Sequence, residues 1–543
     1  MKHLKLLLFT LLLLCINQLY AQNNEPAFQK ELEQWNHYEI VLSSTPIENG
    51  FIDVVLTAKV WNSDTSFTVT GFYDGNLNFK IRFMPTKPGK WQYKTSSNIA
   101  ALNKREGSFN CVKADLKNNG MVRVSDTYHF KYSSGKNYYP FGTTVYAWTH
   151  MGLDIEKATL NSLKKSGFNK VRMCVFPKNY DYVKREPELY PFEIKEIKKD
   201  ATGKQTFVWN FDRFNPAFFD HLEKRIDDLD KLGIEADLIL FHPYDKGHWG
   251  FDAMPNDVNI RYLKYIIARL SSYKNVWWSL ANEWDYIKSK TKSDWDLYAE
   301  TISKNDPYKH LCSIHGSTAT YYDYWKPEFS HVSIQDETPV QSPSSAGILR
   351  NIYHKPIISD EVGYEGNLKA RWGRYSPEEM TYLIWNGIIG GTYVTHGECY
   401  TFNEKIDTIF WAEGGNFKGN SWERVAFLRK IVEACPGPIS LSDIGRDNIT
   451  ATAGNGYYLV YFGKQVNESW LFNLPAKNSI YKKLTAGKKF KVDIIDTWEM
   501  TIQECPQIFE TAKENDYRLY DKELKKIRLP LKPYMALRIR VLE

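Results

Sequence analysis

Val276-Trp277-Trp278-Ser279-Leu280-Ala281-Asn282-Glu283-Trp284 is a short, nearly continuous apolar run that ends in an amide and an acid. A strand buried on both faces reads this way, and such strands belong to parallel sheets covered by helices. The pattern recurs at Ile357-Ile358-Ser359-Asp360-Glu361, again an apolar run finished by carboxylates. Around these two segments, short β-rich runs alternate with helical periodicity, the mark of repeated β/α units.

Eight candidate strands emerge: Tyr139–Trp148, Phe168–Phe176, Ile234–Pro243, Val276–Trp284, His310–Gly316, His331–Gln335, Pro356–Val362 and Gly387–Gly397. Helices are expected at Leu153–Lys165, Pro216–Leu232 and Ile260–Leu270, with Trp422–Ala434 closing the set. Eight units over roughly 290 residues fit a (β/α)8 TIM barrel, which typically takes ~250. Upstream, runs such as His37–Leu42, Ile52–Val60, Phe67–Tyr73 and Phe79–Phe83 are separated by turn signals at Asp74-Gly75 and Pro88-Gly89. That rhythm predicts an immunoglobulin-like β-sandwich. Downstream, Tyr457–Phe462, Phe490–Trp498 and Tyr534–Val541 predict a second, C-terminal β-sandwich. The expected class is therefore α/β, with a barrel at 131–436 between β-sandwiches at 22–130 and 437–543.

Residues 1–21 read as an export signal: Lys2 and Lys5 stand at the start of the apolar run Leu4–Ile16, and cleavage is expected near Ala21. The run is too short for a lasting membrane span. A lipoprotein signal on Cys15 is the weaker reading, because Leu14 stands where a small residue is expected. The protein is thus expected to be secreted or periplasmic. Seventy basic and 64 acidic residues leave a net charge of +6, too weak a field to make nucleic acid the main partner. No CxxC pair occurs among the remaining cysteines, which argues against a metal ribbon. Aromatic residues make up 15% of the chain, suiting both a packed core and platforms for sugar rings. Nothing in the sequence signals an oligomeric state.

Barrel chemistry gathers where the strands end. Here those ends offer Tyr146, Trp148 and His150; Arg172; His242, Tyr244 and Asp245; Asn282 and Glu283; His315; Gln335; Asp360 and Glu361; and His396 and Glu398. Each buried polar group must be hydrogen-bonded or cost roughly 1 to 3 kcal/mol, so polar endings on every strand point to a shared site. Glu283 and Glu361 end strands four and seven, which face each other across a barrel mouth. Glycoside hydrolysis needs such a pair: an acid to protonate the leaving oxygen and a carboxylate to attack or stabilise the oxocarbenium-like centre. Either glutamate alone is more often a salt-bridge partner; it is the pair in this register that reads as catalytic. His242, Asp245 and His248 have a spacing that suggests a metal, but they lack the context of a zinc motif, and a sugar-hydroxyl network is preferred. Trp148, Trp249, Trp284 and Trp411 are candidate stacking platforms or core residues. Glu398 reads as a substrate contact beside His396 or as an alternative site carboxylate.

With Asn282-Glu283 on strand four and Glu361 on strand seven, the chain resembles the clan-A retaining glycoside hydrolases, the cellulase superfamily. Tyr139-Pro140-Phe141-Gly142-Thr143-Thr144, Ala147-Trp148, His242-Pro243 and His396-Gly397-Glu398 resemble the apiosidase-like group within it. Asp496–Met500 and Lys532–Ala536 are similar to that group's small C-terminal domain. The resemblance implies Glu361 as nucleophile, Glu283 as general acid/base, Asn282 on the sugar 2-hydroxyl, and a carbohydrate substrate with neither metal nor other cofactor. Retaining geometry sets the carboxyls ~5 to 5.5 Å apart. Burial beside Trp278 and Trp284 is expected to keep Glu283 protonated, and Arg172 either to ionise Glu361 or to pair with a helix. Asp360 is expected to orient its neighbours, and the loops Lys178–Asn210 and Glu398–Asn420 to wall the cleft. The competing functional readings are an inactive carbohydrate-binding barrel and a matrix-adhesion protein that uses its flanking domains.

Overall fold

The computed structural model describes residues 31–201, 203, 205–402, 408–454, 456–476 and 483–542. The expected export signal, with Cys15, lies outside them. The chain forms two compact units, one of residues up to Asn118 with Tyr265–Lys274, the other of Asn119–Lys264 and Asn275–Glu543. In the first unit a five-stranded and a three-stranded sheet enclose one apolar core that includes Ile40, Val60, Ile81, Trp91 and Phe109. Alternation explains it: in Leu56–Trp61, Leu56, Ala58 and Val60 point inward while the intervening residues are more exposed. The three-stranded element Val122–Ser125, His129–Tyr132 and Asn137–Tyr138 groups with the second unit, although the sequence assigned residues up to 130 to the first.

The second unit contains eight parallel barrel strands: β1 Gly142–Thr144, β2 Lys170–Cys174, β3 Glu235–Phe241, β4 Val276–Ala281, β5 Cys312–Ser313, β6 Val332–Gln335, β7 Ile357–Glu361 and β8 Tyr393–Val394. Strands β1 to β5 form one sheet and β6 to β8 another. Parallel bridges between His315 and Ser333 and between Thr143 and His396 join the two sheets into a ring. Helices α1 Leu153–Lys165, α2 Pro216–Lys231, α3 Asn256–Leu270, α4 Lys292–Asn305, α5 Pro343–Tyr353, α6 Pro377–Gly390 and α7 Ser421–Glu433 follow the strands. Among the described residues, no helix is long and apolar enough to cross a membrane.

Three expectations change. The run Gly387–Gly397 is not one strand: residues 387–390 finish α6, Gly391 caps it at φ 93°, and β8 starts at Tyr393. An apolar stretch in a helix buried on most sides has no polar face to mark its period, and a left-handed glycine ends it. The β5–β6 connection has no helix; Lys355 Nζ holds it by donating to the carbonyls of Tyr324, Lys326 and Phe329 at 2.5 to 2.8 Å. Lastly, the expected loop Lys178–Asn210 contributes to a hairpin, Phe192–Lys199 against Gln205–Phe214.

Downstream of α7 lies a nine-stranded sheet whose middle strands include Tyr457–Tyr461, Met535–Val541 and Lys489–Asp496. At Tyr457–Tyr461 both faces are buried. Tyr457, Leu459 and Tyr461 join the core of Leu383, Ile384, Trp385 and Leu428 on α6 and α7, while Tyr458 and Val460 enter a separate core with Phe490 and Phe509.

Candidate active site

A β-bulge decides where the end of β7 points. Ile334 pairs with Ser359 and Gln335 with Glu361, which leaves Asp360 as an extra residue on β7. Bulges re-aim neighbouring side chains, often beside active sites, and here both acids meet groups from other strands. Asp360 Oδ1 accepts from Lys170 Nζ and Thr395 Oγ1, each at 2.7 Å, and Oδ2 accepts from Ser333 Oγ at 2.5 Å. Lys170 also donates to Asp237 at 2.9 Å. This buried network braces the layer beneath the mouth.

Glu361 Oε1 accepts from the Tyr146 hydroxyl and from Arg172 Nη1 at 3.2 Å, and lies 3.5 Å from His315 Nε2. Burial alone would raise its pKa; His315, Arg172, the Tyr146 hydroxyl and Lys178 outweigh that and hold it below the usual value. Burial, aided by Arg172, also pushes His315 down to about 4. That ring is therefore neutral near pH 7 and loses its pull on Glu361 there, whereas Arg172 keeps its charge. Arg172 is thus tied to β7, not to a helix.

Glu283 follows Asn282 directly at the end of β4. Its backbone is left-handed, φ 47° and ψ 54°, a conformation that strains a residue carrying a Cβ. The turn is pinned on both sides: Asn282 N donates to Phe241 O at 2.9 Å and Trp284 N to His315 O at 3.1 Å. Asn282 Nδ2 donates to Glu283 Oε2 at 3.4 Å, while its Oδ1 accepts from Arg172 Nη2 at 2.8 Å and lies 3.4 Å from the Tyr146 hydroxyl, whose proton is directed at Glu361. One amide therefore links the two carboxylates through partners they share. Burial first, and then the Glu361 charge, raises the Glu283 carboxyl to about 8. Of the two tryptophans expected beside it, Trp278 turns away and donates to Asp306 at 3.0 Å. Trp284 stays half-buried, edge-on to Tyr322 at 5.1 Å.

An aromatic wall stands beside Glu361. Trp411 contacts Tyr146, Tyr180, Tyr182, Tyr364 and Trp372 with ring centroids 5.3 to 6.0 Å apart. Trp411 itself is only 6% exposed, so half-buried Tyr182, Tyr244 and Trp372 offer the accessible ring surface. The sequence reading left Tyr182, Trp372 and Lys178 out of the candidate site. Lys178 shared the signal that found the others, being polar and just past a strand end, whereas Trp372 lies in a single 3-10 turn, Arg371–Gly373, too short to leave a periodic marker.

Several candidates serve the scaffold instead. Trp148 is fully buried, and His150 stacks on Phe218 at 5.8 Å. His242 Nε2 faces the Phe176 carbonyl at 3.1 Å and its Nδ1 accepts from Tyr244 N at 3.2 Å, so both ring nitrogens serve backbone. Asp245 accepts from the backbone of Trp249 and Phe251, and His248 pairs with Glu186. The spacing that suggested a metal or sugar network thus shapes one loop. Trp249 is buried, with its Nε1 on Glu186 at 3.1 Å. His396 bridges Thr143 and Ser421 at 3.0 and 3.1 Å. Glu398 accepts from Lys418 N and Gly419 N, which removes it as an alternative site carboxylate. Glu365, His396 and Glu398 lie close enough together to hold a cation. Yet Glu365 accepts from Asn420 N and Ser421 N, so all three residues are already committed to securing the turn before α7. Gln335 Nε2 reaches Thr318 at 3.2 Å, and its side chain faces the His315 ring.

A closed eight-stranded parallel barrel with two buried, hydrogen-bond-linked glutamates at the ends of β4 and β7 is the arrangement of a glycoside hydrolase. Residues 125–436 match the apiosidase-like catalytic domain, and the chain belongs to that family. Residues 31–98 and 447–540 match two domains of unknown function, DUF5060 and DUF5605. A candidate glycoside hydrolase from Bacteroides vulgatus, known from its crystal structure, is 57% identical with a TM-score of 0.92, over 95% of this chain and 100% of that one. A family 5 glycoside hydrolase from the same organism shares the fold at 15% identity and a TM-score of 0.57, over 78% of this chain and 93% of that one. No curated protein matches the chain.

Proposed function

We propose that the protein is an exported, retaining glycoside hydrolase acting on a polysaccharide or oligosaccharide, with Glu361 as nucleophile and Glu283 as general acid/base. The observation that carries this reading is the chain Glu283–Asn282–Arg172/Tyr146–Glu361, which joins two buried carboxyls whose surroundings push them in opposite directions, Glu283 up by burial and Glu361 down beside Arg172. With its carboxyl raised to about 8, Glu283 carries a proton at neutral pH and delivers it to the leaving glycosidic oxygen. Glu361, held ionised beside Arg172, attacks the anomeric carbon to give a glycosyl-enzyme ester. Glu283, now ionised, then removes a proton from water, which hydrolyses the ester with net retention. In the first step the Tyr146 hydroxyl must release the attacking oxygen, and the same hydrogen bond receives that carboxylate back after turnover. Asn282 presents its amide to the sugar 2-hydroxyl, and the rings of Tyr182, Tyr244, Trp284 and Trp372 stack on sugar faces. The flanking β-rich regions, read as β-sandwiches, support a catalytic barrel at 131–436.

The test is hydrolysis of an oligosaccharide panel by the wild type and by Glu361→Gln, with product stereochemistry followed by NMR. We expect release of one anomer with retained configuration and at least a thousand-fold loss in the variant. Undiminished turnover in Glu361→Gln, or inverted product, rejects the assignment.

A further inference from the structure

Past the end of β2, the segment Val175-Phe176-Pro177-Lys178 runs over the barrel mouth. Its backbone is held on both sides of the lysine, by Val175 N on Ile239 O at 2.9 Å and Asn179 N on Tyr244 O at 2.7 Å. The Lys178 side chain is 1% exposed, and among the described residues its Nζ has no hydrogen-bond partner. Burial lowers its pKa from the usual lysine value, while Cys174 and the Glu361 and Glu283 carboxylates act in the other direction and favour the charged form. Instead it sits 3.5 Å from the centre of the Tyr146 ring, 4.2 Å from Tyr244 and 4.9 Å from Tyr180. Lysine is almost never fully buried without a partner. A lysine head seated against three phenol rings, one of which hydrogen-bonds Glu361, and within reach of the Glu361 and Glu283 charges, needs an explanation beyond packing.

We propose that Lys178 is a positioning residue that fixes the pH window of hydrolysis by biasing Glu361 and Glu283 from its seat on the Tyr146 ring. The inference rests on the roles assigned to those glutamates above. A cation over a phenol face draws electron density from the ring, which makes the Tyr146 hydroxyl a better donor to Glu361. The same charge acts through space on both carboxylates, lowering each. The other groups facing Lys178 are Cys174 and Arg172 on β2, His242 past β3 and Tyr146 past β1. Asp285 and His315 act on the same carboxylates from β4 and β5. Arg172 is directed at Glu361 and Asn282 through hydrogen bonds, whereas Lys178 makes none among the described residues and acts on the carboxylates through its charge.

The sign follows directly. Hydrolysis needs Glu361 ionised and Glu283 protonated, so removing a positive charge raises both pKa values and moves both limbs of the kcat/KM–pH profile upward. For Lys178→Met we expect each limb to shift by about one pH unit, with Lys178→Arg returning both limbs toward wild type. Lys178→Gln carries the same expectation as Met and guards against a packing artefact. A neutral variant that loses activity yet keeps both limbs in place overturns the proposal. So does failure of both neutral variants to fold, which would make the ammonium a structural prop. Glu361→Gln, assayed alongside on the same substrate, keeps the two claims apart: its full activity sinks the catalytic assignment, whereas fixed limbs in the Lys178 variants sink only this inference.

Discussion

Glu283 holds two costs at once, a left-handed backbone and a buried carboxyl raised to about 8. The second has a consequence for stability. In the unfolded chain this carboxyl titrates near its ordinary value of 4.5. Below pH ~4.5 both states bind the proton and nothing is lost. From there to pH ~8 the unfolded state releases it and the folded state keeps it, so stability falls by up to about 1.4 kcal/mol per pH unit. Glu283→Gln cannot ionise and escapes that loss. Thermal denaturation at pH 5 and at pH 8 should therefore show the variant gaining on the wild type as pH rises. A gap independent of pH would mean that the folded protein ionises Glu283 as readily as the unfolded chain.

Among elements, the bulge in β7 and the helix-free link from β5 to β6 most shape the mouth. Without the bulge, Asp360 and Glu361 would take opposite faces of the strand, since successive side chains alternate. The β5–β6 link stays in place because one ammonium, Lys355, collects three carbonyls. Replacing it with Met leaves those carbonyls to find water in a half-buried setting, at an expected cost of about 1 to 3 kcal/mol. Urea unfolding of Lys355→Met measures this; a midpoint equal to wild type would show that water substitutes fully. The sequence could not reveal either device. A bulge is a mismatch between two strands, and Lys355 lies in a segment whose partners are 26 to 31 residues away.

On the scale of the whole molecule, the barrel and the C-terminal sheet share one apolar core. Trp385 of α6 lies 5.5 Å from Tyr461, ring to ring, and the Tyr139 hydroxyl of the barrel donates to Gly437 O at 3.0 Å. A chain ending at Pro438 would expose Met380, Leu383, Ile384 and Trp385 in a contiguous face, and such faces drive association. We expect that truncation to yield aggregates or to abolish the cooperative melt. A monomeric truncated barrel melting within a few degrees of the full chain would make the sheet an appendage. The sequence by itself determined the periodicity of the barrel, the β-rich flanks, and the polar endings of the strands that brought Glu283, Glu361, Asn282 and Arg172 forward, because burial and alternation leave a local imprint on residue type. Only the tertiary structure decided which endings reach the mouth. It sent His242, Asp245, His396 and Glu398 to backbone and scaffold partners and seated Lys178 on Tyr146, because hydrogen bonds between distant segments depend on where the strands close, and strand closure leaves no local signature in the chain.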